Sequence, residues 1–262
     1  PRAQAKKRGP EVEAAAHLVA QAPAICADLR KLFQLVAQRS PDAAEQKMRL
    51  QNFYRRVHFV AAASGLTECA PLTQMAVVFE ALLYVLLNDP ARISPSVLRT
   101  LASLVDFMEL LFQHAGASGP ANPPSVRVLV VDDDPVCNRL VVSALREAKL
   151  APQSTEDPIV AWQWANSEHF DVILLDIEMP VLNGFELCKR LRTVPGYERT
   201  PVIFVTIHND FENRAKSSLS GGDDLIAKPI LPMELAAKVM LHLLRKQLPP
   251  LPQGGPSGGS EH

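Results

Sequence analysis

Four apolar runs in the second half of this chain of 262 residues each stop at a residue able to do chemistry. Val172-Ile173-Leu174-Leu175 ends at Asp176, and Val128-Leu129-Val130-Val131 ends at Asp132-Asp133-Asp134-Pro135. Val202 to Val205 ends at Thr206, and Leu225-Ile226-Ala227 ends at Lys228-Pro229. Runs this short, bounded by polar residues, read as strands buried on both faces of a parallel sheet. Open sheets of that kind place their chemistry at the C-terminal edge of the strands. A solvated Asp at a strand end is common, and it is the other three strand ends that lift Asp176 above that reading. Clustered carboxylates repel unless a cation neutralises them, and a hard all-oxygen site with few carboxylates suits Mg²⁺. Lys228 adds a fixed positive charge and Thr206 a hydrogen-bond donor. Such a site can hold a dianionic phosphoryl group on Asp176.

The elements that must position these residues alternate strand and helix five times. Helices are predicted over about 135–149, 158–167, 183–193, 210–219 and 231–246, with the weakest strand near 151–155. This is a doubly wound α/β pattern: a five-stranded parallel sheet with helices on both faces and right-handed crossovers. Trp162 and Trp164, two apart on a helix, cannot share a face, so one is core and the other partly exposed.

Residues from about 125 to 247 resemble a response-regulator receiver domain, of flavodoxin-like fold. The resemblance is carried by the acidic pair Asp132 and Asp133, by Asp176 followed by Met179-Pro180 and Gly184, by Thr206, and by Lys228-Pro229. It implies that Asp176 is the phosphoacceptor, attacking a phosphohistidine or small acyl phosphate in line. It further implies that Asp133, Asp176 and the backbone carbonyl of Glu178 bind Mg²⁺, with Asp132 acting through water, and that Thr206 and Lys228 contact the phosphoryl oxygens. Two positions depart from the pattern. Leu225 stands where an aromatic switch residue is usual, and Ile207 where a small residue is usual. Glu178 and His208 occupy positions at which the family tunes acyl-phosphate lifetime.

Residues 11–116 carry helix patterns and almost no strand signal. The segment 11–39 is Ala- and Leu-rich, with Pro23 as a break. Helices over about 42–65, 70–88 and 95–115 follow, opened by Ser40-Pro41-Asp42 and Ser94-Pro95. Their inward stripes are Leu50, Phe53, Val57, Val60 and Ser64, then Leu72, Met75, Val78, Phe79 and Leu82, then Leu98, Leu101, Val105, Met108 and Phe112. Short connections make this an antiparallel, all-α bundle of four or five helices. His58 flanks the first stripe. His58-Phe59-Val60, Ser64-Gly65 and Leu72 through Leu82 resemble a histidine-containing phosphotransfer (HPt) domain of the chemotaxis-kinase type. That resemblance implies that His58 is the phosphorylated residue and that Glu80 holds its other ring nitrogen. The family usually reads His-x-x-Lys-Gly, and this chain has Ala61 and Ala62 there.

The chain is thus multidomain: a lead-in over 1–10, the bundle over 11–116, a linker over 117–124, the α/β domain over 125–247, and a Pro, Gly and Ser-rich tail over 248–262. The lead-in and tail are expected to be disordered. Net charge is −1, which gives no electrostatic case for nucleic acid. Residues 1–120 hold 13 Lys and Arg against 10 Asp and Glu, and the rest 14 against 18. Four cysteines without metal-ligand spacing read as small core residues in a reducing cytoplasm. No signal peptide and no apolar run of membrane-spanning length is read. Gly221-Gly222-Asp223-Asp224 evokes the signature of cyclic-dinucleotide cyclases, but that chemistry needs a larger domain around it.

The reading is a two-component phosphorelay protein, non-enzymatic in itself, with Mg²⁺ as cofactor and a histidine kinase or other phosphohistidine protein as donor. A receiver domain is the expected partner of His58, and a second copy of the chain an alternative partner of the bundle. A different class remains open: a scaffold whose bundle docks a kinase or dimerises while His58 is inert. A metal-dependent phosphatase ranks last, because Glu178 stands where its general-acid Asp belongs. The chain is also compatible with a piece of a longer hybrid kinase.

Overall fold

The computed structural model describes residues 16–38, 40–65, 69–115, 126–207 and 211–248. The expected lead-in, the linker, His208 and the tail after Leu248 lie outside these residues. Among the described residues the first half is helical: α1 (Ala22–Ala37), α2 (Ala43–Ser64), α3 (Ala70–Asn88), a 3₁₀ turn (Pro90–Arg92) and α4 (Pro95–His114). Asp42 caps α2 by accepting from the Ala44 N–H, and Ser94 caps α4 by accepting from that of Val97. Pro23 lies in the first turn of α1, where its missing N–H costs nothing. The helices pack in a ring, α1 on α2, α2 on α3, α3 on α4 and α4 on α1. By length and composition α3 is apolar enough to cross a membrane, which corrects the reading that no such run exists. In the fold its Leu72, Met75, Phe79, Leu82 and Leu86 are buried in the bundle core.

The second half is β1 (Arg127–Val131), α5 (Pro135–Glu147), β2 (Ala151–Thr155), α6 (Pro158–Ser167), β3 (Val172–Asp176), α7 (Gly184–Arg192), β4 (Val202–Thr206), α8 (Phe211–Leu219), β5 (Asp224–Ala227) and α9 (Pro232–Gln247). The sheet order is β2-β1-β3-β4-β5, parallel throughout. On one face Leu129, Ile173, Leu175 and Phe204 pack against Ala161, Ala165, Leu187 and Leu191 of α6 and α7. On the other, Val128, Val130, Val172, Leu174 and Val205 pack against Val141 and Leu145 of α5 and Leu235, Val239 and Leu243 of α9. Trp164 packs at the edge of the first core and Trp162 is exposed.

Helix α9 serves two cores. While Leu235, Val239 and Leu243 face the sheet, Ala237, Leu241 and Leu244 are buried with the side chains of the bundle. It lies against α3 and α4. It runs parallel to α4, with Glu234 at Ser96 and Thr100 and the Arg245 guanidinium over the Phe107 ring. This packing explains a shift in the stripe of α4. Leu98, expected inward, is only partly buried, whereas Ser96, Val97 and Thr100 are buried because they face α9.

The α9 contact generates two expectations. Leu241→Ala removes a side chain buried between the halves and is expected to cost about 2–5 kcal/mol. Both tryptophans lie on α6, so indole fluorescence reads the α/β half and far-UV dichroism reads chiefly the helices. In urea both midpoints are expected to fall together; an unmoved indole midpoint would show that the halves unfold independently. The second concerns Asp224, whose carboxylate meets Lys238 Nζ at 2.6 Å and His242 Nε2 at 3.2 Å. Burial alone would raise its pKa, but the His242 hydrogen bond and the Lys238 charge outweigh it and hold it at about 2 instead of 3.8. A carboxyl depressed in the folded state stabilises in full above its unfolded pKa and loses that contribution as pH falls through the folded value. The contribution is about 2 kcal/mol above roughly pH 4 and fades towards pH 2. Asp224→Asn is therefore expected to be less stable than wild type at neutral pH in urea titrations, with the gap closing in acid.

Candidate functional site

The strand register brings the chemical residues together. Val131 pairs with Leu175, Asp176 with Val205, and Thr206 with Ala227. Asp132, Asp176, Thr206 and Lys228 therefore stand at matched ends of adjacent strands β1, β3, β4 and β5, which are spaced about 4.8 Å apart. Asp132, Asp176 and Thr206 are buried. Lys228 Nζ lies 2.9 Å from Asp176 Oδ1 and 3.0 Å from Asp132 Oδ2, so one ammonium bridges two carboxylates. Carboxylate oxygens of Asp132, Asp133 and Asp176 lie within 4.8 Å of one another. Asp134 stays out of this group: its Oδ1 caps α5 by accepting from the Val136 N–H.

Burial raises the Asp176 carboxyl to about 6; Lys228 opposes that rise, and the charges of Asp132 and Asp133 add to it. For Lys228, burial works to lower the pKa, but its contacts with the Asp176 and Asp132 carboxylates outweigh it and hold the ammonium above its usual range. The donor set fits a hard divalent cation. Three carboxylates crowd one point, and Asp132 Oδ2, although in ionic contact with Lys228, is a buried acceptor without a hydrogen bond of adequate geometry. Glu178 follows in the β3–α7 loop with an exposed side chain. The loop closes when the Gly184 N–H donates to the Ile177 carbonyl at 3.0 Å. A Cβ at Gly184 would run into the Asp176 carbonyl oxygen, which is why glycine stands there.

Comparison with known proteins bears on residues in this half. The response regulator receiver domain family matches residues 128–240. Residues 128–240 form a receiver domain of two-component signalling. Relatives include Protein RcaC of Microchaete diplosiphon, 33% identical over 119 residues, and the transcriptional activator protein IrlR of Burkholderia pseudomallei, 34% identical over 122. The matches cover 45% and 47% of this chain, but only 18% of RcaC and 52% of IrlR. The chain thus spans about half or less of the length of these relatives. Among solved structures, Vibrio cholerae chemotaxis protein CheY4 is 28% identical, with 48% of this chain and all of that one covered and a TM-score of 0.44. The receiver domain of the Pseudomonas aeruginosa sensor histidine kinase PA1611, described with a magnesium ion in its active-site cleft, is 26% identical; the match covers 47% of this chain and 99% of that one, with a TM-score of 0.43.

The receiver's two departures are both placed. Leu225 is buried in the same core as Phe204, and Ile207 is exposed just past Thr206. Cys137, expected as a small core residue, is half-buried beside this site; burial first, and then the Asp132 charge, push its thiol up to about 11. In the bundle His58 and Glu80 meet. His58 Nδ1 lies 2.7 Å from Glu80 Oε1, and the Tyr54 hydroxyl donates to the same oxygen at 3.2 Å. The imidazole stacks on the Tyr54 ring with centroids 5.8 Å apart and remains 60% exposed. Sequence reasoning missed the contact that ties bundle to receiver. Glu234 accepts from Ser96 Oγ at 2.6 Å and Thr100 Oγ1 at 3.0 Å, and the Ala227 N–H donates to Ser96 Oγ at 3.4 Å. The available signal was a Glu in an otherwise apolar first turn, opposite a helix start that buries hydroxyls.

Gly184→Ala tests the backbone argument. Displacing the Asp176 carbonyl is expected to lower stability by about 1–3 kcal/mol, read as a lower urea midpoint. An unchanged midpoint would mean that the β3–α7 loop accommodates the methyl.

Proposed function

We propose that this chain is a cytoplasmic phosphorelay protein whose receiver takes a phosphoryl group on Asp176 and whose bundle carries one on His58. Receiver domains receive phosphoryl groups from histidine kinases or phosphotransfer proteins, and the Lys228 bridge at 2.9 Å from Asp176 is the observation that carries the first half of the reading. An Asp176 oxygen attacks phosphorus in line, and the N–P bond of the donor breaks with its electron pair left on the imidazole. Lys228 then exchanges the carboxylate for a phosphoryl oxygen, and the Thr206 hydroxyl donates to another. Asp133, Asp176 and the Glu178 carbonyl would hold Mg²⁺, with Asp132 contributing through water; the ion would neutralise charge on the equatorial oxygens. For His58 the support is Glu80, which can hold Nδ1 protonated and leave Nε2 as the nucleophile.

A scaffold reading is favoured by Ala61 and Ala62, which supply no ammonium beside His58. Intact mass after incubation with phosphoramidate and Mg²⁺ separates the two. Wild type is expected to gain phosphoryl groups, Asp176→Asn and His58→Gln each to keep one modified site, and the double variant to gain none. Loss of all uptake in Asp176→Asn alone would make the bundle a docking module. Lys228→Ala is expected to slow uptake at Asp176 by on the order of 10²–10³-fold, the usual effect of removing one preorganised donor.

A further inference from the structure

His58 and Asp176 of one chain are held apart by the helix that joins the two halves. The receiver's active edge adjoins the α3–α4 corner of the bundle. There Arg92 and Ser94 line a cavity of about 520 Å³ together with Lys228, Pro229, Leu231 and Glu234. His58 lies elsewhere. Its partner Glu80 sits eight residues before Asn88, the last residue of α3, which places it about 12 Å along the helix axis from that corner. Glu80 faces α2, whereas the cavity lies where α9 meets α3 and α4, so the two places are also in different grooves of the bundle. Phosphoryl transfer needs the reacting atoms about 3–3.5 Å apart. Closing the gap within one chain would require pulling α9 out of the bundle. That would expose Leu231, Ala237, Leu241 and Leu244 and strip Glu234, only 2% exposed, of its Ser96 and Thr100 partners.

We infer that the phosphoryl group passes between His58 of one chain and Asp176 of a second copy. This inference rests on the reading of His58 as a phosphoryl carrier. The chain carries both halves of a head-to-tail contact. Beside His58 stand the exposed Phe59 and Tyr84, and Arg55 lies on the same helix. Around the receiver's active edge stand exposed Val136, Leu140, Val181 and Ile207, on the first receiver helix and on the loops after β3 and β4. Arg55 is exposed on the His58 helix and Asp134 and Glu178 are exposed around the receiver's active edge, so the two surfaces present opposite charges across copies. A contact of this kind joins unlike surfaces of identical chains. In the transfer the N–P bond at His58 Nε2 breaks and the electron pair stays on nitrogen. Glu80 keeps the Nδ1 proton, so the leaving group is neutral imidazole. The new O–P bond forms on the Asp176 carboxylate of the other copy.

The test uses the whole 262-residue chain. Asp176→Asn is loaded at His58 with phosphoramidate, freed of donor and mixed with His58→Gln in the presence of Mg²⁺; intact mass then follows the phosphoryl group. It is expected to appear on the His58→Gln chain at a rate proportional to that chain's concentration. In wild type, loss of phosphohistidine is likewise expected to quicken with protein concentration. Phe59→Asp in the donor is expected to slow the transfer by about tenfold; made alone in a chain that keeps Asp176, it is expected to leave uptake of phosphoramidate by Asp176 unchanged. Transfer in wild type that is independent of concentration, or no passage to the His58→Gln chain, would overturn the inference while leaving His58 a carrier. Failure of Asp176→Asn to load at all would remove the carrier reading itself, and the inference with it.

Discussion

A helix with two apolar faces sets the architecture. α9 cannot satisfy both faces against the sheet alone, since a sheet face offers one surface to one helix stripe. The first stripe, Leu235, Val239 and Leu243, completes the receiver, and the second, Ala237, Leu241 and Leu244, would stand in water without the bundle. The bundle has the matching deficit, because Ser96 and Thr100 of α4 are buried where Glu234 of α9 meets them. Each half supplies what the other lacks. Glu234 then adds direction: a carboxylate buried at this contact is tolerable only where two hydroxyls meet it, which fixes the register of α9 along α4.

The same logic of compensated burial governs the active edge. Three acids crowd the ends of β1 and β3, and Lys228 bridges two of them. Its position depends on β5, whose last residue, Ala227, is held from behind by Ser96. The bundle thus reaches within one residue of the group that balances the charge of the site. Burial leaves Asp176 protonating more readily than an exposed carboxyl, and the Lys228 ammonium opposes that by favouring the carboxylate, so acids and ammonium offset one another at this edge.

Most of the receiver was legible because its chemistry sits at strand ends, and short apolar runs that stop at a polar residue can be found without knowing the tertiary fold. Asp132, Asp176, Thr206 and Lys228 fall into place from register alone. It is the structure that sets Asp134 apart as the cap of α5, and the His58–Glu80 pair was legible through the resemblance to phosphotransfer domains rather than through periodicity. The joint between the halves was not legible. Leu98 fits the period of α4 as well as Val97 does, and only the arrival of α9 decides which of them is buried. Periodicity reports that a face is apolar; it does not report which of two partners covers it. Nor did the amphipathic pattern of α9 distinguish one core from two, since Ala237 and Leu244 read equally well as the margin of a single stripe.

Leu225 gains meaning from this joint. In the resemblance to receiver domains an aromatic residue there swings to report the state of the threonine. Leu225 is buried in the same core as Phe204 and has no ring to swing. What remains connected to the active edge is backbone. The Lys228 N–H donates to the Thr206 carbonyl at 2.7 Å, Ala227 touches Ser96, and the chain runs directly through Pro229, Ile230 and Leu231 into the buried turn of Glu234. Both anchors of this segment, Ser96 and Thr100, belong to the bundle. Where the resemblance expects an aromatic switch residue, the chain has a leucine, and hydrogen bonds run from the end of β5 and the start of α9 into the bundle.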